Sequence, residues 1–165
     1  KTILFFNLDQ WATGRRLYNN INRTNGETKS FSIKTVSISK DKVKSIGRFQ
    51  VIPDCEFINP TDYEAFILIG GMSWKNDSTL QLKLLVEQCL FDQKILGRFV
   101  IYRFWSAIGV LNYAAYTSKL WMIKDVTGVL LYTNEKTYRK AVRDHNLIIA
   151  NGTASLEFAR EILLA

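Results

Sequence analysis

The sequence predicts an open α/β fold with a mostly parallel sheet, and three observations predict it. Short apolar runs rich in β-branched and aromatic residues recur along the chain, at 1–8, 65–69, 95–101 and 147–150. Segments with helical spacing of apolar residues stand between or after them. The run Ala-Phe-Ile-Leu-Ile at 65–69 is apolar throughout instead of alternating, the pattern of a strand covered on both faces. Strands alternating with helices of about a dozen residues give crossover connections and hence parallel pairing.

Taken in order, 1–8 is the first strand, and Leu17, Tyr18 and Ile21 after it fall at helical spacing. A second strand is expected over 31–39, and 47–53 reads as a short extended excursion. The buried strand 65–69 ends in Gly70-Gly71. From Ser78 the positions Leu80, Leu84, Leu85 and Cys89 are helical, with Ser78 or Asp77 placed to cap the helix. Residues 95–101 form the next strand. The stretch after it is less regular until the strand at 147–150, the turn Asn151-Gly152-Thr153, and a helix over 154–164. Glycine suits that tight passage and Thr153 is placed to cap the helix. The last helix stops at Leu163-Leu164-Ala165 without a glycine or polar cap, so the natural chain is expected to run past Ala165. No linker, repeat or low-complexity tract divides the 165 residues, and one domain over 1–165 is expected.

Composition narrows the chemistry. With 47% hydrophobic and 22% charged residues, a collagen-like, coiled-coil or disordered chain is excluded. Two cysteines and one histidine are too few for a disulfide scaffold or a structural zinc site, so neither metal nor cofactor is expected. No apolar run approaches the ~20 residues that cross a bilayer, so no membrane association is expected, and the chain reads as cytoplasmic with reduced thiols. The net charge is +7, and it is concentrated: up to Gln50 there are ten Lys/Arg against three acids, and beyond it the two signs balance. A polyanion partner follows as one reading of that asymmetry. Nucleic acid is not favoured, because no groove-reading or base-stacking motif accompanies the charge.

Open parallel sheets bind ligands beyond the carboxyl ends of their strands. Gly71, Ile101 and Asn151 are expected on that edge. Cys89 lies on an apolar helix face with Leu82 and Leu85, as a buried structural thiol does. Cys55 follows Pro53-Asp54 in an expected loop and is a candidate displaced nucleophile, as is Ser106, although neither has a base close in sequence. His145, between Asp144 and Asn146, reads as a turn residue before the last strand.

The segments KTILFFNLDQWA, KTVSIS, KSIGRFQVIPD, DYEAFILIGGMSW and AVRDHNLIIANGTASLEFAREIL together resemble the ThiJ/PfpI family. The resemblance implies a flavodoxin-like three-layer sandwich, related to glutamine amidotransferase domains and commonly homodimeric. It further implies hydrolase, amidase or glyoxal-detoxifying activity through a cysteine on a strand-to-helix elbow, a glutamate from the first helix and a histidine on a later segment. Backbone N–H groups at Gly70-Gly71 and at Ile101 would then form an oxyanion pocket lined by Asn151 and Gly152. At the family-equivalent positions this chain has Val100 for the cysteine, Arg15 for the glutamate and Tyr116 for the histidine. The expectation is therefore a protein that keeps the pocket but not the thiol chemistry, with a small anionic or carbonyl ligand.

Overall fold

The structure, a computed structural model, describes residues 1–12, 31–56, 62–75, 82–99, 141–150 and 152–165. Five strands form the parallel heart of the sheet: β1 (Thr2–Phe6), β2 (Ser32–Ser37), β6 (Ala65–Ile69), β7 (Ile95–Phe99) and β9 (Leu147–Ala150). Between β2 and β6 lie β3 (Val43–Lys44), β4 (Gln50–Val51) and β5 (Cys55–Glu56), and β8 (Ala141–Asp144) precedes β9. The sheet order is β5-β2-β1-β6-β7-β9-β8, with only β8 antiparallel to its neighbour. Strands β3 and β4 make a separate antiparallel pair.

The alternation within each strand sorts the core into two faces. Leu4, Phe6, Phe66, Leu68, Leu96 and Ile149 point to one side, where α1 (Leu82–Phe91) covers them with Leu82, Leu85, Val86 and Cys89. Ile3, Phe5, Ile67, Ile69, Phe99 and Ile148 point to the other, where α2 (Ser155–Leu164) lays down Phe158, Ala159 and Ile162. All five side chains of β6 are buried, as its unbroken apolar run requires. Phe99 and Phe158 stack at 5.6 Å between ring centroids, tying α2 to β7. Gly97 permits this approach, because a Cβ there would overlap Ile67 Cδ1 and lie 2.9 Å from Phe158 Cζ.

The strands expected at 65–69 and 147–150 lie at those residues, the expected first and second strands are each trimmed at their ends, and the fourth begins at Ile95 as expected. Three differences have physical reasons. Cys55 is not in a loop: it pairs with Val36 as part of β5 at the sheet edge, held there by the Thr35–Asp54 hydrogen bonds at 2.7–3.1 Å. The irregular stretch before β9 ends in a strand, β8, formed by folding back on β9 through His145-Asn146. His145 is a turn residue as expected, with φ of 52°. The cap position of α2 falls on Ala154 and not on Thr153: its carbonyl accepts the Phe158 N–H at 2.9 Å, and an alanine brings no side-chain acceptor. The expected first helix around Leu17, the caps Asp77 and Ser78, and the end of the 95–101 strand lie outside the described residues.

Candidate functional site

Sheet order reverses at β1: the chain goes from β1 outward to β2, then returns past β1 to β6. β1 leads outward to β2 and β6 leads the other way to β7, so the carboxyl ends of β1 and β6 mark the switch point at which open parallel sheets bind ligands. The segments Leu8–Ala12 and Gly70–Trp74 stand there.

These segments are built as a miniature sheet on the edge of the large one. Trp11 pairs antiparallel with Gly71 and parallel with Ser45, so three stretches of chain lie side by side. Ala12 N–H donates to Gly70 O at 2.6 Å, and Met72 N–H donates to Gln10 O at 3.1 Å. On the other side Gln10 N–H donates to Lys44 O at 2.6 Å, and Ile46 N–H donates to Trp11 O at 2.9 Å. The Asp9 carboxylate accepts Lys44 N–H at 2.8 Å, and the Asp9 carbonyl accepts the Ser73 hydroxyl. Trp74, the third residue of a 3-10 turn, donates its indole N–H to Ile69 O at 2.7 Å and stands edge-on to Phe6. Gln10 reaches this geometry at φ 55°.

The close pairing explains Gly71. A Cβ at this position would lie 2.5 Å from Gln10 O and 2.7 Å from Trp11 Cα, both backbone atoms with nowhere to go. The bonds run from Ala12 to Gly70 and from Met72 to Gln10, so Trp11 and Gly71 face each other as the non-bonded pair of the ladder. The Gly71 N–H consequently points away from Trp11, and among the described residues it has no acceptor. Gly70 differs: its N–H donates to Phe99 O at 2.7 Å, extending the β6–β7 ladder. Of the two glycine donors expected in the pocket, one is spent on the sheet and Gly71 alone is available.

The two thiols lie elsewhere. Cys55 is level with Val36, Phe6 and Leu68 through successive pairings, three strand spacings from β6, or ~14 Å at ~4.8 Å per strand. Cys89 is fully buried on the inner face of α1, with its Sγ 3.9 Å from Lys94 O and 4.0 Å from Ile95 O. That is the amino end of β7, the edge opposite the switch point. Burial pushes the Cys89 thiol up to about 11, against a hydrogen bond with Tyr63 that lowers it. Burial likewise raises Tyr63, which Cys89 and Asp92 reinforce. A thiol held so protonated is a packing group and not a nucleophile.

His145 is on the β8–β9 turn, its Nδ1 2.7 Å from Asp144 Oδ1, with the ring exposed. Among the described residues no group of three or more His, Cys, Asp and Glu side chains comes together as a metal site, and no helix is long and apolar enough to cross a membrane. Gly152 lies in the turn before α2. Arg15, Val100, Ile101, Ser106, Tyr116 and Asn151 lie outside the described residues.

Two features of the site had no counterpart in the sequence reading. One is the ladder from Ser45 through Trp11 to Gly71, which depends on long-range pairing. The other is Arg98, 2% exposed near the carboxyl end of β7, in register with Leu68 and Ile149 on the α1 face. Its neighbours Gly97 and Phe99 belong to the opposite face, so a period of two would have turned Arg98 inward.

The five-stranded parallel order 2-1-3-4-5 turns at β1 beside a glycine fixed by backbone contact, and residues 16–165 of the chain match the DJ-1/PfpI family. The chain belongs to it. This DJ-1/PfpI chain is 30% identical over 172 residues to the uncharacterised protease YdeA of Bacillus subtilis strain 168, covering 99% of the chain and 82% of that protein. It is 28% identical over 142 residues to the uncharacterised protease YoaZ of the same organism, covering 81% and 66%. Among solved structures, the DJ-1 superfamily protein Atu0886 of Agrobacterium tumefaciens superposes with a TM-score of 0.79 at 24% identity, over 99% of this chain and 88% of that one. The thiJ/pfpI family protein of Bacillus anthracis gives 0.84 at 21%, over 99% and 82%. These likenesses establish the flavodoxin-like fold.

Proposed function

We propose that this hydrolase-like DJ-1/PfpI domain binds a small carbonyl- or carboxylate-bearing ligand at the carboxyl edge of the sheet beyond β6, with Gly71 N–H as donor, and does not turn it over through a thiolate. One observation carries the reading: both cysteines of the chain are described, and neither reaches Gly71. The identities of Val100, Arg15 and Tyr116 support it, since none supplies a nucleophile, a shared-proton acid or an imidazole. A fixed N–H donor still favours oxygen that carries or develops negative charge. The cytosol suits such a protein, whose two thiols are unpaired.

The experiment is a turnover assay with methylglyoxal and with casein, the second because two relatives carry the name protease. We expect no turnover that Cys55→Ala or Cys89→Ala abolishes, together with saturable binding of glyoxylate that Gly71→Ala weakens. Turnover lost on Cys55→Ala would overturn the reading. So would rapid alkylation of Cys55 by iodoacetamide at neutral pH that eliminates glyoxylate binding.

A further inference from the structure

A cleft of about 710 Å³ opens at the amino edge of the sheet, on the side covered by α2. It lies at the far end of β6 from Gly71, ~20 Å away along the strand at ~3.3 Å per residue. Its floor is the apolar core itself: Ile3 and Ala65 at the amino ends of β1 and β6, and Ile162 in the last turns of α2, none more than 2% exposed. Half-buried Phe31, Ile95 and Leu163 form its walls.

Backbone bonds hold this shape. Glu64 N–H donates to Thr2 O at 2.9 Å and the Glu64 carbonyl accepts Ile95 N–H at 3.0 Å, which fastens the amino ends of β1, β6 and β7 together. The α1–β7 turn is closed by Gln93 N–H to Leu90 O at 3.1 Å and Lys94 N–H to Cys89 O at 3.0 Å, with Gln93 at φ 54°. Arg143 ties the end of α2 to the β8–β9 turn, donating through Nη1 to Leu164 O at 3.2 Å and through Nε to His145 O at 3.0 Å. A preformed hollow that is apolar within and polar at its rim is what small-molecule sites present, and this one falls inside their usual span of roughly 300–1,000 Å³.

The rim selects the ligand by charge. Glu64 and Asp92 stand on it as exposed carboxylates, and among the described residues neither enters an ion pair. Asp92 is oriented by Gln88, whose Nε2 donates to Asp92 Oδ1 at 2.9 Å. Lys1 and Lys94 line the cleft as well. Lys94 has the opposite parity to Ile95, and its ammonium lies 6.0 Å from the centroid of the Tyr63 ring, on the α1 side of the sheet. Among the described residues Lys1 is then the one cation facing two carboxylates, an acidic surplus on a chain of net charge +7. We propose that this cleft binds an amphipathic cation, an aryl-alkyl or alkyl ammonium, with its apolar body against Phe31, Ile162 and Leu163 and its ammonium at the Glu64 and Asp92 carboxylates. Burial of the body supplies the affinity, and the carboxylates supply the preference for positive charge.

Isothermal titration calorimetry of the full chain with phenethylamine, phenethyl alcohol and hydrocinnamate tests this, since the three share one apolar body and differ in the charge of the head. The amine should bind saturably at a single site, the alcohol more weakly and the carboxylate most weakly. Glu64→Gln combined with Asp92→Asn, two exposed positions whose replacement leaves the fold intact, should lower the amine affinity roughly threefold to tenfold and leave that of the alcohol unchanged. Leu163→Trp, which fills the cleft from its wall, should remove amine binding with circular dichroism unchanged. In an amide-resolved NMR titration the amine should shift Phe31, Ile95 and Leu163 while Gly71 stays in place, so the result stands apart from any ligand bound at Gly71. Absence of saturable amine binding, equal affinity for the amine and the carboxylate, an amine affinity unmoved by the Glu64→Gln, Asp92→Asn pair, or shifts centred on Gly71 would overturn the proposal.

Discussion

Replacing Gly71 by alanine asks the candidate site to accept one methyl group where it has no room. The added carbon would sit 2.5 Å from Gln10 O and 2.7 Å from Trp11 Cα, against an ordinary contact of ~3.5 Å. Both are backbone atoms of a segment pinned on its far side by Gln10 N–H to Lys44 O and Ile46 N–H to Trp11 O, so the strain cannot be relieved by a side-chain rotation. Moving the segment away by most of an ångström breaks or stretches the Ala12–Gly70 and Met72–Gln10 bonds. Two hydrogen bonds at about 1 kcal/mol each, with overpacking of about 1–3 kcal/mol less what the movement relieves, give a loss of roughly 2–4 kcal/mol. For a chain of this length that lowers Tm by roughly 4–16 °C. Differential scanning calorimetry measures it, and glyoxylate binding should weaken in the same variant because the Gly71 donor moves. A Gly71→Ala protein melting within about 1 °C of the parent would refute the close-approach argument and, with it, the assignment of Gly71 as a fixed donor.

Gly97→Ala should cost about 1–3 kcal/mol by driving a methyl against Ile67 Cδ1 and Phe158 Cζ, and Ile67→Val, which deletes that Cδ1, should recover part of the loss in a double-mutant cycle read by urea denaturation. Additive single effects would deny the contact. His145→Gly relieves a left-handed φ of 52° and should raise stability by about 0.5 kcal/mol, or Tm by about 1–2 °C; a lower Tm would show that the ring contributes more than the strain costs. Alkaline pH should destabilise the protein through Cys89. Its thiol titrates near 9.0 when unfolded and is pushed up to about 11 when buried, so the folded state keeps a proton the unfolded chain has released. The thiol's contribution is intact below about pH 9 and is lost as pH rises to about 11, a fall of roughly 2–3 kcal/mol that Tyr63 reinforces and Cys89→Ala should flatten in a pH series of urea melts.

Much of the fold was legible because its strands are buried on both faces. The apolar runs at 65–69 and 147–150 have no polar position to blur their limits, and both strands lie where those runs do. The small elements were hidden for the converse reason. β5 is two residues at an edge, and β8 reads Ala-Val-Arg-Asp, with Arg143 exposed and Asp144 half-buried, so neither shows a period. The signal for β8 was present in Asp-His-Asn between two short apolar runs, a two-residue hairpin loop. Within the site, the Gly-Gly turn was visible from composition, but which glycine N–H is free was not. That depends on Phe99 O accepting from Gly70 and on Trp11 lying opposite Gly71, contacts between residues far apart in the chain. The thiols show the same division. Cys89 followed from helical spacing with Leu82 and Leu85, while the distance of Cys55 from Gly71 follows only from sheet order.

Ligand binding through Gly71 N–H without a cysteine can be read by an amide-resolved NMR titration of the Cys55→Ser, Cys89→Ser double variant with glyoxylate. A saturable shift of the Gly71 amide resonance is expected, with Gly70, bonded to Phe99, moving far less and the parent protein giving the same affinity. A Gly71 resonance that stays in place while the parent protein binds glyoxylate through a thiol-dependent adduct would contradict it.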